Sequence, residues 1–301
     1  MKKELRDRIW KTKKEKWKEL CDKLDADIFG DSYKIVKAQM RIAYPKIELT
    51  QNKKMEIFEE LFIAGKNTEL SEMTTVENAP DFTEEETTTA CKKLKNGRAP
   101  GPDGIRSETL KTLIRKNVTF FTKLYNCLLK QNIFPEQWKL VKLILLEKPK
   151  KNANDVTKYR PICLLDTMGK VYENLILNRL IEELYERGGL NPNQYGFKKG
   201  RTTIHAIRQI LETATKRKDG TIDVENAFNT AAWDLILRKM RKRNISSYLI
   251  SIIKSYFKNR TIRIDKRKDV KIGGGVPQGS VLGPTLLNIL YDDVMEIRPW
   301  E

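Results

Sequence analysis

Residues Gly273–Met295 read GGGVPQGSVLGPTLLNILYDDVM. Pro277 and Pro284 bracket the start of a helix. The apolar residues that follow form a stripe on this helix. These apolar residues are Val281, Leu282, Leu286, Leu287, Ile289 and Leu290. This part of the chain is therefore predicted to be a helix.

Two strands and a long helix are predicted upstream of this stretch. Leu140–Glu147 is apolar and rich in strand-forming residues, and the segment from Tyr159 to Leu165 predicts a returning strand. The basic segment 148–158 would connect them as a hairpin, which makes the pair antiparallel. A strong helical period predicts a helix over residues 167–186.

Nearer the N-terminus, residues 2–24 predict a basic amphipathic helix, and residues 49–65 another helix. Thr83 followed by Glu86 is a capping box, which predicts a helix start. The glycines and prolines of residues 96–105 predict an ordered turn with a close backbone approach, and residues 107–129 predict a helix. We expect a basic helical segment over 1–65, an acidic linker over 66–80 and the main domain over 81–301.

The charge balance favours a polyanionic partner. The chain has 58 Lys plus Arg against 40 Asp plus Glu, a formal net charge of +18. Nucleic acid is the first candidate and an anionic membrane surface the second, but no apolar run is long enough to span a bilayer and no signal peptide is evident. We therefore expect an intracellular protein that does not bind a membrane.

Cysteine and histidine spacing argues against a zinc site. The four cysteines are far apart and His205 is the single histidine, so neither a zinc knuckle nor a His-pair site is predicted. Buried, reduced thiols and a packed or surface histidine are the simpler interpretations.

Six blocks in this order resemble the reverse transcriptase domain of non-LTR (LINE-type) retrotransposons. They are NGRAPGPDGI, WKLVKLILLEKP, YRPICLLDTMGKVYENLILNRL, NQYGFKKGRTT, IDVENAFNT and GGGVPQGSVLGPTLLNILY, and they cover the chain from about Pro80 onward. The resemblance implies an α+β fold, the fingers and partial palm of a right-hand polymerase, preceded by a helical N-terminal segment. It also implies an RNA template, a DNA primer, deoxynucleoside triphosphates and Mg²⁺, in the nucleus and cytoplasm. The oligomeric state is left open.

The resemblance also assigns roles to particular residues. Asp223 matches the first catalytic acid, a metal ligand, with the carbonyl of Val224 as a second ligand. In the substrate-binding set, Lys148 and Arg160 match the residues that hold the triphosphate, Phe228 the residue against the sugar, and Gln278 the residue that supports the incoming nucleotide. Gly279, with Gly274 and Gly275, would allow backbone to approach base and template. A structural role, such as a capping Asp, a core Phe or a solvated charge, is the alternative for each.

The sequence departs from the family at its acidic pair. The family carries an aromatic-Ala-Asp-Asp block on a hairpin between two apolar strands, whereas Asp292 and Asp293 continue the helix after Pro284. We therefore predict that they are a solvated helix terminus and not catalytic acids. Only Thr221 and Ile222 stand between Gly220 and Asp223, which predicts a shortened palm strand.

Three functions remain open from the sequence. The first is an RNA-directed DNA polymerase domain that ends before its second acid block, an inactive fragment or decayed copy. The second is a non-catalytic RNA-binding module derived from such an element. The third is an inert product with an incomplete palm.

Overall fold

The computed structural model of the chain describes residues 2–26, 49–62, 70, 78–147, 159–214, 224, 226–265 and 268–296. It divides into two units, 1–48 and 49–301. The first contains α1 (Lys2–Ala26), which confirms the N-terminal helix. The predicted linker lies mostly outside the described residues, and the domain boundaries at 65 and 80 stay a prediction.

A small mixed sheet organises the second unit, with the strand order β2-β1-β3-β4. Strands β1 (Leu140–Glu147) and β2 (Tyr159–Leu164) pair antiparallel, as predicted. Strand β1 also pairs parallel with β3 (Thr261–Asp265), and β3 pairs antiparallel with β4 (Lys268–Lys271). The mixed α/β class is confirmed, whereas β3, β4 and the parallel pairing were not predicted.

Helices surround this sheet. Before β1 lie α2 (Gln51–Leu61), α3 (Glu84–Lys92), α4 (Ser107–Lys116), α5 (Val118–Lys130) and the short α6 (Glu136–Lys139). After β2 come α7 (Thr167–Glu186), α8 (Thr203–Ala214), α9 (Trp233–Lys242), α10 (Ser247–Phe257), α11 (Gly283–Tyr291) and a 3₁₀ helix, Asp292–Glu296. Among the described residues, none of these helices has the length and apolar character needed to cross a bilayer.

Local signals explain where several helices begin. Thr83 and Glu86 form the reciprocal capping box predicted for α3. The single helix predicted over 107–129 is divided at Asn117, whose backbone is not helical (φ −149°, ψ 64°). The Asn117 side chain accepts a hydrogen bond from the Phe120 N–H (3.2 Å), so it caps α5. The prediction of one uninterrupted helix was wrong for this reason.

Helix α7 lies at the centre of the core. Its residues Val171, Leu175, Ile176 and Leu180 are fully buried. The Tyr172 ring stacks on Tyr125 and Phe134 at centroid distances of 5.6 Å and 5.5 Å. Large aromatic side chains contribute much of the burial energy of such a core. Helix α7 is therefore firmly packed, and its buried polar side chains are held in fixed positions.

Candidate nucleic-acid site

The glycine-rich loop Gly273–Gly279 packs against the loop that carries Phe228. The Val276 N–H donates to the Phe228 carbonyl oxygen (2.7 Å), and the Gly275 N–H donates to the Ala231 carbonyl oxygen (2.8 Å). Gly275 has a φ of +82°, and a Cβ there would lie 2.6 Å from the Asn229 carbonyl oxygen. Glycine is therefore required for this approach, whereas the approach of Gly275 to base and template that the resemblance implies stays a prediction.

The same loop then reaches strand β2. The Cys163 N–H donates to the Gln278 carbonyl oxygen (2.9 Å). Gly279 has a φ of +133°, and a Cβ there would overlap the Cys163 carbonyl oxygen. Arg160 lies on the same strand and is exposed. It is three residues before Cys163, about 10 Å along the strand, and on the alternate face.

The structure brings three of the predicted site residues, Phe228, Gln278 and Gly279, to one loop through backbone contacts. Arg160 lies on the strand that this loop contacts, but it is not brought to the loop. Lys148 and Asp223 lie outside the described residues. Val224 is described, and its side chain is 44% exposed.

Phe197 is a site residue that the sequence reasoning missed. Its ring meets the Phe228 ring edge to face, at a centroid distance of 5.9 Å, and it is 68% exposed. Its backbone is left-handed, with a φ of +54°, a conformation that is rare for a bulky residue. The signal was an aromatic residue between Gly196 and two lysines in NQYGFKKG. An exposed ring beside basic residues suits stacking on a base.

A second loop closes on the beginning of α7. The Asp103 N–H donates to the Asp166 carboxylate (3.1 Å), and a Cβ on Gly101 would overlap that carboxylate. This confirms the close approach predicted for residues 96–105. Asp166 is only 4% exposed. Burial, followed by the nearby negative charge of Asp103, raises the pKa of Asp166 to about 6.

The acidic pair at the end of α11 is structural. Helix α11 ends at Tyr291 and the chain continues as a 3₁₀ helix, so the predicted helix end is confirmed. The prediction of a solvated terminus was wrong for Asp292, which is 3% exposed, ion-paired with Arg243 and accepts from the Asn191 N–H (2.8 Å). Asp293 pairs with Lys239 (3.2 Å) and is 43% exposed on its side chain.

These contacts bear on metal binding, because the resemblance implies Mg²⁺. In the part of the chain that the structure describes, no three His, Cys, Asp or Glu side chains come together as metal ligands. Both adjacent carboxylates, Asp292 and Asp293, are used by cationic side chains. The donor set of the described residues therefore does not fit a two-metal site.

The second unit is a mixed α/β domain built on a small mixed sheet, and sequence comparison identifies the family. A family model of reverse transcriptase (RNA-dependent DNA polymerase) matches residues 148–298, half of the chain. The chain therefore belongs to the reverse transcriptase family.

Its relatives come from non-LTR elements of insects. The chain is 32% identical over 221 residues to the probable RNA-directed DNA polymerase from transposon BS of Drosophila melanogaster, covering 70% of the chain and 24% of that protein. It is also 32% identical over 227 residues to the RNA-directed DNA polymerase from mobile element jockey of Drosophila funebris, covering 72% and 25%. A third relative is the Pol polyprotein from the type-1 element R1 of Bradysia coprophila, at 30% identity over 227 residues, covering 72% and 22%. The chain thus spans about a quarter of the length of these relatives.

Proposed function

We propose that this chain forms the fingers and part of the palm of a non-LTR retrotransposon reverse transcriptase. Its substrates are an RNA template paired with a DNA primer, and deoxynucleoside triphosphates. The similarity to RNA-directed DNA polymerases of mobile elements and the net charge of +18 support this assignment. We place it inside the cell, in the cytoplasm and nucleus.

The observation that carries the proposal is the position of the Gly273–Gly279 loop. Hydrogen bonds hold it to Phe228 on one side and to β2 on the other, and Gly275 and Gly279 allow both approaches. A nucleotide between Phe228 and Gln278 would have backbone groups and an aromatic ring within reach, and the exposed Arg160 lies on the strand to which the loop is bonded. These are the groups that bind sugar, base and phosphate.

Under this proposal each site residue has a role. Lys148 and Arg160 hold the triphosphate, Phe228 contacts the sugar, and Gln278 and Gly279 support the incoming nucleotide. Asp223, with the carbonyl of Val224, binds Mg²⁺. Residues 1–65 form a basic segment that contacts RNA, residues 66–80 a linker, and residues 81–301 the partial polymerase domain.

We further propose that residues 1–301 do not polymerise DNA by themselves. Nucleotidyl transfer by two metals needs several carboxylates at one place. Asp293 is ion-paired with Lys239 of α9, and Asp292 with Arg243, the residue that follows α9. We therefore infer that they do not serve as the second acid block.

The test measures binding of a fluorescent deoxynucleoside triphosphate to the chain preloaded with an RNA–DNA primer-template. We expect Gln278→Ala and Arg160→Gln to weaken triphosphate binding at least fivefold and to leave primer-template affinity within twofold. Arg238→Gln is the matched control, because Arg238 is an exposed arginine paired only locally, with Asp234 at 3.0 Å. Unchanged triphosphate binding in both site variants would count against the proposal.

The runner-up is a non-catalytic RNA-binding module. The ion pairs of Asp292 and Asp293, together with the basic net charge, favour it over an active enzyme. It predicts RNA binding that weakens steeply with salt and survives Asp223→Ala. If the chain binds RNA but no deoxynucleoside triphosphate, the RNA-binding module is favoured over the polymerase fragment.

A further inference from the structure

Glu173 is a buried carboxylate that no part of the proposed site explains. It lies on α7 and is fully buried (0% exposed). Its Oε2 atom accepts three hydrogen bonds, from the Ser280 hydroxyl (2.6 Å), the Val281 N–H (2.6 Å) and the Leu282 N–H (3.0 Å). A buried carboxylate with three donors is rarely incidental, because a charge left without partners in a core is very costly.

These three donors stand immediately before α11. The first N–H groups of a helix have no partner within the helix, and here the N-cap residue, Leu282, supplies no side-chain cap. Glu173 accepts from the N–H of this N-cap residue and from that of Val281 before it, and its carboxylate lies at the positive end of the α11 dipole. Glu173 therefore holds the segment that leads into α11 from another helix.

Ser280 extends the contact to a third helix. Its hydroxyl accepts from the Tyr256 hydroxyl (2.8 Å) and from the Gly283 N–H (3.0 Å) while it donates to Glu173. Tyr256 lies on α10 and is fully buried. The Arg260 guanidinium lies over the Tyr256 ring, 3.9 Å from its centroid. Helices α7, α10 and α11 are thus joined at Ser280.

The position of this network along the chain gives it significance. Ser280 directly follows Gly279, and the Gln278 carbonyl is bonded to Cys163 of β2. The end of the Gly273–Gly279 loop is therefore held by β2 at Gln278 and by Glu173 at Ser280, with only Gly279 between the two attachments. If the contact with Glu173 is lost, Ser280 keeps its hydrogen bonds with Tyr256, Gly283 and Pro277 but loses its link to α7. Gly279, whose positive φ lets it lie against β2, is then held less firmly on that side.

We infer that Glu173 is a positioning residue, which holds Gln278 and Gly279 where an incoming nucleotide would contact them. It touches no substrate and acts through Ser280 and the start of α11. The link to nucleotide binding rests on the proposed function, whereas the link to loop position does not.

The first experiment is hydrogen exchange on the full chain. Glu173→Ala is expected to raise exchange at least tenfold for the amides of residues 276–283 and of Cys163, relative to amides in the second half of α7. Glu173→Gln should restore most of the protection, because its carbonyl oxygen can accept from the same donors. Ile176→Ala is the control, since Ile176 is on the same helix and equally buried but contacts no part of this network through a hydrogen bond.

The outcomes decide the inference. Unchanged exchange in Glu173→Ala, or the same amides opening equally in Ile176→Ala, would overturn it. If Glu173→Ala does not fold, Ser280→Ala replaces it, because it removes one of the three donors and should open the same amides by a smaller factor. No opening in Ser280→Ala would then count against the inference.

The second experiment separates this inference from the proposed function. With a fluorescent deoxynucleoside triphosphate as the probe, Glu173→Ala should weaken binding at least tenfold, Glu173→Gln less than threefold and Ile176→Ala not at all. If the unaltered chain binds no triphosphate, the substrate assignment fails, and hydrogen exchange still decides whether Glu173 sets the loop. Normal triphosphate binding in Glu173→Ala with an opened loop would contradict the positioning role.

Discussion

Replacing Asp292 by Ala should destabilise the fold far more than replacing its neighbour Asp293. Asp292 is 3% exposed, is paired with Arg243 and accepts from the Asn191 N–H. Removing one partner of a buried ion pair costs about 3–5 kcal/mol, because the other charge is left in the core. The Arg243 side chain is 21% exposed, and in the variant it would still donate to the Gly189 carbonyl oxygen (2.9 Å). We therefore expect a loss of unfolding free energy at the lower end of this range, about 3 kcal/mol.

Asp293 is the matched control. Its side chain is 43% exposed, and its partner Lys239 keeps the Leu290 carbonyl oxygen (2.6 Å). Exposed pairs contribute about 0–1 kcal/mol, so Asp293→Ala should cost no more than that. The difference between the two variants is therefore expected to be about 2 kcal/mol or more.

Urea unfolding followed by circular dichroism measures both variants. The midpoint should fall while the slope stays constant, which shows a change in stability alone. A double-mutant cycle of Asp292→Ala with Arg243→Met isolates the coupling of the pair. An Asp292→Ala cost below about 1 kcal/mol, or a larger cost for Asp293→Ala, would refute the structural assignment of this acidic pair.

Three further predictions concern other parts of the chain. Gly275→Ala should lower the free energy of urea unfolding by at least about 2 kcal/mol, because Gly275 has a φ of +82° and lies against the Asn229 carbonyl oxygen. Gly104→Ala is the control and should cost about 1 kcal/mol, because Gly104 has a similar φ of +72° but open space around it. Equal costs would contradict the close approach of Gly275. Burial raises the pKa of Asp166 to about 6, so protonated Asp166 stabilises the fold below about pH 4, and this stabilisation of at most about 3 kcal/mol is lost as pH rises through 6. Asp166→Asn should therefore flatten the dependence of unfolding free energy on pH between 4 and 6. An unaltered slope would rule out Asp166 as its origin. Phe197→Ala should leave the melting temperature nearly unchanged, because the ring is 68% exposed, but weaken single-stranded RNA binding by about 1–3 kcal/mol; unchanged affinity in a binding titration would remove Phe197 from the RNA surface.

The sequence predicted the elements whose signals are local. The capping box at Thr83, the apolar strand Leu140–Glu147 and the periodic helix Thr167–Glu186 each depend on neighbouring residues, and each is found with the expected bounds or a cap at the expected residue. The close approach required of Gly101 was also predictable, because clustered glycine and proline residues leave few other conformations.

Features that depend on distant partners were not predictable. Strand β3 pairs with β1 across more than a hundred residues, and nothing near Thr261 indicates a parallel neighbour. The burial of Asp292 depends on Arg243, and the role of Glu173 on Ser280, 107 positions later. A helix-terminal aspartate and a helical glutamate look solvated when only their own segment is considered.

The most direct test of the account is primer extension by residues 1–301 on an RNA template with a DNA primer, Mg²⁺ and deoxynucleoside triphosphates, alongside Asp223→Ala. The account predicts that the primer-template is bound in a salt-dependent manner and that no extension product depends on Asp223. Synthesis that is abolished by Asp223→Ala would contradict it, because residues other than Asp292 and Asp293 would then have to complete the acidic site.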